Sequence, residues 1–124
     1  MSPHILLIDD DGFLASIYAD RLCAEGFEVS LATNGEDGFK AAVKDHPDAI
    51  VLDLLMPRMD GFETLERLKT EPSTKDIPVL VLTNVGERED VARCLKLGAA
   101  GYLIKAHTLP HEAVNRLREL IGSA

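Results

Sequence analysis

Short apolar runs alternate along the chain with stretches in which apolar residues recur at helical spacing. Three of the runs are continuous and lie at residues 5–8, 49–52 and 79–82. Continuous runs of this length are typical of strands that are buried on both faces. The segment 27–31 alternates apolar and polar residues, and the run 102–104 is short. We therefore expect these two strands at the edges of a sheet.

Between the runs, apolar residues recur every three or four positions, which predicts five amphipathic helices. Each helix is expected to turn one apolar stripe toward the sheet. The stripes are Leu14, Ile17, Tyr18 and Leu22; Phe39, Ala42 and Val43; Phe62, Leu65 and Leu68; Val91, Cys94 and Leu95; and Val114, Leu117 and Ile121. Strict alternation of strand and helix predicts right-handed crossovers, and hence a parallel sheet with helices on both faces.

The predicted fold is therefore α/β: a doubly wound, flavodoxin-like, five-stranded parallel sheet in the order 2-1-3-4-5. This order places the alternating strand and the short strand at the edges, and the three continuous apolar strands inside. In such a sheet a ligand binds beyond the carboxyl ends of the strands, where the strand order reverses between strands 1 and 3. The strand ends are where chemistry is expected.

Polar residues follow the predicted strands. They are Asp9 and Asp10 after strand 1, Asp53 after strand 3, Thr83 at the end of strand 4 and Lys105 after strand 5. Neighbouring carboxylates raise one another's pKa unless a cation lies among them. Mg²⁺ suits such a site because it takes hard oxygen ligands, keeps several waters and leaves room for a phosphate oxygen. With a mobile ammonium and a hydroxyl nearby, the set favours phosphoryl transfer.

The charge balance narrows the classes of partner that the chain is expected to bind. The chain has 13 Lys and Arg residues against 21 Asp and Glu, a formal net charge of −8 at pH 7. Direct nucleic-acid binding is not expected, because nucleic-acid binders collect cations on one face. The first eight residues lack the basic stretch of a signal peptide, and no apolar run approaches the roughly 20 residues of a membrane span. We expect a cytoplasmic protein without membrane insertion.

Four segments make the chain resemble the receiver domain of two-component response regulators over nearly its whole length. They are an acidic-pair strand at 5–10, a turn at 53–61 similar to the family's DxxMPxMDG pattern, and the segments 78–83 and 98–105. The resemblance implies a single receiver domain over residues 1–124 without an output domain, either stand-alone or excised from a longer regulator. It also implies a phosphorylation-dependent signalling domain rather than an enzyme with a separate substrate.

The resemblance assigns roles at the strand ends. Asp53 would accept a phosphoryl group from a sensor histidine kinase or a histidine phosphotransfer protein. Asp10 would bind Mg²⁺ directly and Asp9 through water, while Asp53 and the backbone carbonyl of Leu55 would complete the protein ligands. Lys105 would pair with the phosphoryl group.

The resemblance also implies a conformational relay. Thr83 would turn its hydroxyl toward the phosphate, and Tyr102 would rotate into the vacated space. This movement would alter the face made by the fourth helix, the fifth strand and the fifth helix, where a downstream protein would dock.

Two alternatives stay open. The stretch from Asp9 to Gly12 also resembles the DxDG motif of haloacid-dehalogenase-type phosphatases, with Asp9 as nucleophile, although the only acids after Lys105 lie on the last predicted helix. The second alternative is a degenerate receiver that acts as a phosphate-independent interaction module. Ala106 stands where the family usually has proline, and Asn84 where it usually has alanine, which keeps this alternative open.

Overall fold

The part of the chain that this computed structural model describes comprises residues 2–54, 60–83, 88–105 and 108–122. Within it, five strands alternate with five helices. The elements are β1 (His4–Ile8), α1 (Gly12–Ala24), β2 (Glu28–Ala32), α2 (Gly35–Asp45), β3 (Ala49–Leu52), α3 (Gly61–Thr70), β4 (Val79–Thr83), α4 (Arg88–Lys96), β5 (Gly101–Ile104) and α5 (Pro110–Ile121). None of the helices in these residues is long and apolar enough to cross a membrane.

The five strands form one parallel sheet in the order β2-β1-β3-β4-β5, which confirms the predicted fold. The register aligns the carboxyl ends of the two central strands, because Ile8 of β1 pairs with Leu52 of β3. The next residues, Asp9 and Asp53, therefore leave the sheet side by side. The backbone N–H of Asp53 donates to the carbonyl of Ile8 at 2.9 Å, which extends the pairing one residue beyond the strands.

Two hydrophobic layers sandwich the sheet. One layer lies between the sheet and helices α1 and α5, and includes Tyr18, Leu22 and Leu117. The other lies between the sheet and helices α2, α3 and α4, and includes Leu65 and Cys94. The residues of β3 and β4 are all buried, whereas the edge strand β2 is largely exposed or half-buried, as the hydrophobic pattern predicts.

In two helices, one residue of the predicted inner stripe is exposed instead. Ile17 and Leu95 were assigned to buried stripes, but they are 41% and 50% exposed. Helix α1 buries Tyr18 and Leu22 as predicted, with Ala15 in place of Ile17, and α4 buries the predicted Cys94 but not Leu95. Successive helical residues point about 100° apart, so a helix that packs through a small residue turns a neighbouring large one outward. Each of these helices has more apolar residues than can face the sheet at once, so some of them are exposed.

Candidate functional site

The carboxyl edge of the sheet gathers three carboxylates at the switch point between β1 and β3. Asp9, Asp10 and Asp53 each offer one carboxylate oxygen, and these oxygens all lie within 4.8 Å of one another. Asp9 and Asp53 are buried at 6% and 7% exposure, while Asp10 is exposed. The cluster therefore has a buried floor and one carboxylate at a solvent-accessible rim.

Lys105 reaches into this cluster from the end of β5. Its Nζ lies 2.6 Å from Asp9 Oδ2 and 3.3 Å from Asp53 Oδ2, and the three side chains are each less than a tenth exposed. Burial alone would lower the pKa of Lys105, but the hydrogen bond to Asp9 and the charge of Asp53 raise it overall. The ammonium is thus held charged between two buried carboxylates.

The surroundings of Asp9 disfavour the charged form of its carboxyl. Burial is the largest influence on Asp9 and raises the pKa of its carboxyl, and the negative charge of Asp53 adds to this. Hydrogen bonds from Lys105 and from the backbone of Asp11 oppose the rise without cancelling it. A cation among these carboxylates would stabilise the charged form of Asp9.

The three consecutive residues Asp9, Asp10 and Asp11 differ in their contacts and exposure. The backbone N–H of Asp11 donates to Asp9 Oδ1 at 2.9 Å, which fixes the Asp9 carboxylate toward the site. The side chain of Asp11 accepts a hydrogen bond from Leu14 N at 3.1 Å and caps the amino end of α1. Asp10 is left at the rim.

Asp53 is held by the close approach of α3 to the backbone that follows β3. The N–H of Gly61 donates to the carbonyl of Leu54 at 3.0 Å. A Cβ at position 61 would overlap Leu54 Cα and would lie 2.6 Å from the carbonyl oxygen of Asp53. Only glycine lets α3 begin there without displacing this backbone, so Gly61 helps to position Asp53. The Asp60-Gly61 pair before a helical stripe is the signal for it.

The remaining predicted site residues lie on β4 and β5. Thr83 ends β4 with its side chain fully buried, and pairs with Ile104 of β5. The ring of Tyr102 packs against the core layer beneath α4. Burial raises the pKa of Tyr102 to about 12. Three other residues named from the sequence, Leu55, Asn84 and Ala106, lie outside the described residues.

The donor set fits a hard divalent cation. Carboxylates from two neighbouring strand ends supply only oxygen donors, which Mg²⁺ prefers, and the exposed Asp10 leaves space for waters. The raised pKa of Asp9 is a second reason for a cation to bind, because a cation would favour the charged form of this carboxyl. The fold and the cluster thus define a doubly wound α/β domain with an acidic cluster, able to hold a cation, at the strand-order reversal.

Comparison with known proteins identifies the family of this domain. Residues 5–117 match the family model for the response regulator receiver domain. The chain is 39% identical over 119 residues to the DNA-binding dual master transcriptional regulator RpaA of Synechocystis sp., a match that covers 96% of this chain and 49% of RpaA. The chain thus spans about half the length of that relative.

In two solved structures, the likeness covers nearly the whole of this chain and nearly the whole of the solved chain. A putative response regulator from Chloroflexus aurantiacus J-10-fl superposes with a TM-score of 0.92 at 32% identity, covering 98% of this chain and 99% of the other. The receiver domain of sensor histidine kinase PA1611 from Pseudomonas aeruginosa PAO1, with a magnesium ion coordinated in its active site cleft, has a TM-score of 0.90 at 26% identity and covers 99% and 100%. This chain belongs to the response regulator receiver domain family, the signalling domains of two-component systems.

Proposed function

We propose that this chain is a phosphorylation-dependent switch in which Asp53 accepts a phosphoryl group from a phosphohistidine of a kinase or phosphotransfer protein. A carboxylate oxygen of Asp53 attacks phosphorus, the P–N bond to the imidazole breaks, and the imidazole takes up a proton as it leaves. The observation that carries the proposal is the buried Asp53 carboxylate, which shares Lys105 with Asp9.

The other residues supply charge and position. The Lys105 ammonium is already 3.3 Å from Asp53 Oδ2, so it can follow the negative charge onto the new phosphoryl oxygens. Asp9, Asp10, Asp53 and the carbonyl of Leu55 would hold Mg²⁺, which neutralises charge on the phosphoryl group during transfer. Because phosphoryl transfer needs mainly alignment and neutralisation, these groups suffice without a separate general base.

Thr83 and Tyr102 are the proposed relay from the site to a docking face. Thr83 lies fully buried at the carboxyl end of β4, next to the cluster along the sheet edge. A hydroxyl that turns toward the phosphoryl group would free space for the Tyr102 ring. The α4-β5-α5 face, on which Leu95 is half exposed, would then present a different surface to a downstream protein.

The phosphodonor protein is proposed to dock beside the rim of the site. Asp53 is 7% exposed, so a donor imidazole has to enter through the open carboxyl edge of the sheet. Large apolar side chains are exposed near this edge: Phe13 at 76% and Ile17 on the outer side of α1, and Leu109 at the start of α5. An apolar patch of this kind is typical of a protein-binding surface.

Two predictions from composition remain predictions. RpaA is described as DNA-binding, and this chain matches 49% of its length. The net charge of −8 still argues that the receiver domain formed by residues 1–124 does not itself contact DNA. A cytoplasmic location likewise stays a prediction.

Phosphorylation of the intact chain by a small donor tests the proposal. Incubation with acetyl phosphate or phosphoramidate in Mg²⁺ is expected to add one phosphoryl group by intact mass, and EDTA is expected to prevent the addition. Borohydride reduction followed by peptide mapping should locate the group on Asp53. A group on Asp9 would instead favour the phosphatase-like alternative, and no addition would favour the degenerate receiver.

Removal of the ammonium from the cluster is expected to tighten Mg²⁺ binding. Lys105→Met removes a positive charge that lies 2.6 Å from Asp9 Oδ2 and 3.3 Å from Asp53 Oδ2, within the cluster of three carboxylates. Two unit charges 4 Å apart interact by about 4 kcal/mol at an effective dielectric constant of 20, so a gain of about tenfold in affinity is expected after relaxation. Isothermal titration calorimetry with MgCl₂ measures it, with Lys105→Arg as the charge-preserving control. Equal affinities for Lys105→Met and wild type would contradict the shared-cation arrangement.

A further inference from the structure

Asn34 is the one asparagine of this chain that glycine follows. The chain has three asparagines, and the other two, Asn84 and Asn115, precede valine and arginine. Asparagine is a thermolabile residue, because the backbone nitrogen that follows it can attack its side-chain amide. Glycine has no Cβ to hinder this approach, so an Asn-Gly pair is the sequence at which deamidation is fastest. Asn34 is therefore the residue of this chain whose sequence context most favours deamidation.

Deamidation at this position needs only water. The backbone nitrogen of Gly35 attacks Cγ of Asn34, and a new C–N bond forms. The bond between Cγ and Nδ2 breaks, and ammonia leaves with the proton that the Gly35 nitrogen gives up. Water then opens the resulting succinimide ring at either of its two carbonyls. The products are an aspartate or an isoaspartate at position 34, each with one more negative charge than the asparagine.

The fold holds the side chain of Asn34 through two hydrogen bonds to one residue. Asn34 is the N-cap of α2 and is 8% exposed. Its Oδ1 accepts from the backbone N–H of Asp37 at 2.8 Å, which is the usual bond of a helix cap. Its Nδ2 donates to Asp37 Oδ2 at 2.9 Å, a second bond to a charged group. Asp37 thus binds both polar atoms of the amide that deamidation would remove.

We propose that Asn34 is a deamidation site that the Asp37 carboxylate protects in the folded domain. Ring closure requires the amide to turn toward the Gly35 nitrogen, and so to leave both of its bonds to Asp37. The bond to the carboxylate lowers the fraction of molecules with a released amide by about tenfold, because hydrogen bonds to charged groups are stronger than neutral ones. The folded domain therefore deamidates more slowly than its sequence predicts.

The modification would alter the start of α2 beside the acidic cluster. In the aspartate product, a carboxylate replaces the amide that donates to Asp37, and two like charges then repel one another. In the isoaspartate product, the backbone gains a methylene at the helix cap. The connection that carries Asn34 begins next to the cluster, since the N–H of Asp9 donates to the carbonyl of Ala32 at 3.0 Å.

Deamidation rates of the folded proteins test the inference. Wild type, Asp37→Ala and Glu36→Ala are incubated in mildly alkaline buffer, and peptide mapping measures aspartate and isoaspartate at position 34. Asp37→Ala is expected to convert about tenfold faster than wild type, because its amide keeps only the backbone bond. Glu36→Ala is the matched control, since Glu36 also lies in the first turn of α2 but pairs with Lys40. It should convert at the wild-type rate.

The same measurement in urea separates protection by the fold from an effect of the sequence. All three unfolded chains are expected to convert at one rate, faster than the folded wild type. The inference is wrong if the folded wild type converts as fast as the unfolded chain, or if folded Asp37→Ala converts no faster than folded wild type. A difference between these two proteins that persists unchanged in urea would also overturn it.

Hydrogen exchange in the wild type tests the same bond without a variant. The side-chain NH₂ protons of Asn34 are expected to exchange with water about tenfold more slowly than those of Asn115, which is exposed on α5. NMR spectra resolve the two groups and measure both rates. Equal rates would show that Asp37 does not hold the amide in solution, and would overturn the inference even if Asp37→Ala failed to fold.

Discussion

Asp53→Asn is expected to abolish phosphorylation by acetyl phosphate or phosphoramidate, with no adduct detectable by intact mass when the wild type is fully modified. An amide lacks the anionic oxygen that attacks phosphorus, and the exchange leaves the size of the side chain unchanged. The fold is expected to survive, because Lys105 keeps its 2.6 Å ion pair with Asp9. Removal of one of three clustered carboxylates also relieves repulsion.

Two neighbouring carboxylates serve as controls for this experiment. Asp11→Asn also removes one negative charge beside the site, and asparagine caps a helix about as well as aspartate, so its adduct should form on Asp53 as in wild type. Asp9→Asn should slow the reaction but leave its site unchanged. An adduct that persists in Asp53→Asn and disappears in Asp9→Asn would transfer the nucleophile to Asp9 and favour the phosphatase-like alternative.

The arrangement of strands could be predicted because burial determines it. Continuous apolar runs such as 49–52 and 79–82 fit only strands covered on both faces, and the polar alternation at 27–31 fits only an edge. Once the order 2-1-3-4-5 was inferred, parallel pairing brought Asp9 and Asp53 to adjacent strand ends without further information. This step depends on backbone topology and not on side-chain conformation.

The directions in which the side chains of the site point could not be predicted from the sequence. The resemblance pairs Lys105 with a phosphoryl group on Asp53, yet its ammonium lies closer to Asp9, at 2.6 Å against 3.3 Å. A lysine stem with four rotatable bonds can reach either carboxylate, so spacing along the chain cannot decide between them. The same holds for Tyr102, whose buried hydroxyl has no hydrogen-bond partner in the described residues.

The periodicity also did not determine how each helix is rotated about its own axis, and hence which residues face the sheet. In α1, the stripe through Ile17 and the stripe through Ala15 are both apolar enough to face a sheet. The structure buries the second, since the smaller residue allows a closer approach of helix and sheet. Ile17, which the pattern predicted to be buried, is exposed instead. It is therefore a candidate for contact with a partner protein.

Gly61→Ala is expected to be the most destabilising small substitution at the site, lowering the free energy of unfolding by about 3 kcal/mol. The added methyl group would overlap Leu54 Cα and approach the carbonyl oxygen of Asp53, and both atoms belong to backbone that cannot rotate away. The usual gain of about 0.5–1 kcal/mol for replacing a helical glycine by alanine is too small to compensate. Urea unfolding measures the loss.

Gly12→Ala is the matched control, because a Cβ on Gly12 of α1 meets no atom within 4 Å. This variant should unfold at the same or a slightly higher urea concentration than wild type. The two variants should also differ in phosphorylation rate, since relief of the overlap in Gly61→Ala displaces the backbone that carries Asp53. A displacement of 1 Å can slow a positioned reaction by about 10²-fold. If Gly61→Ala instead matches Gly12→Ala in stability and in rate, the contact between α3 and residues 53–54 does not position the acceptor.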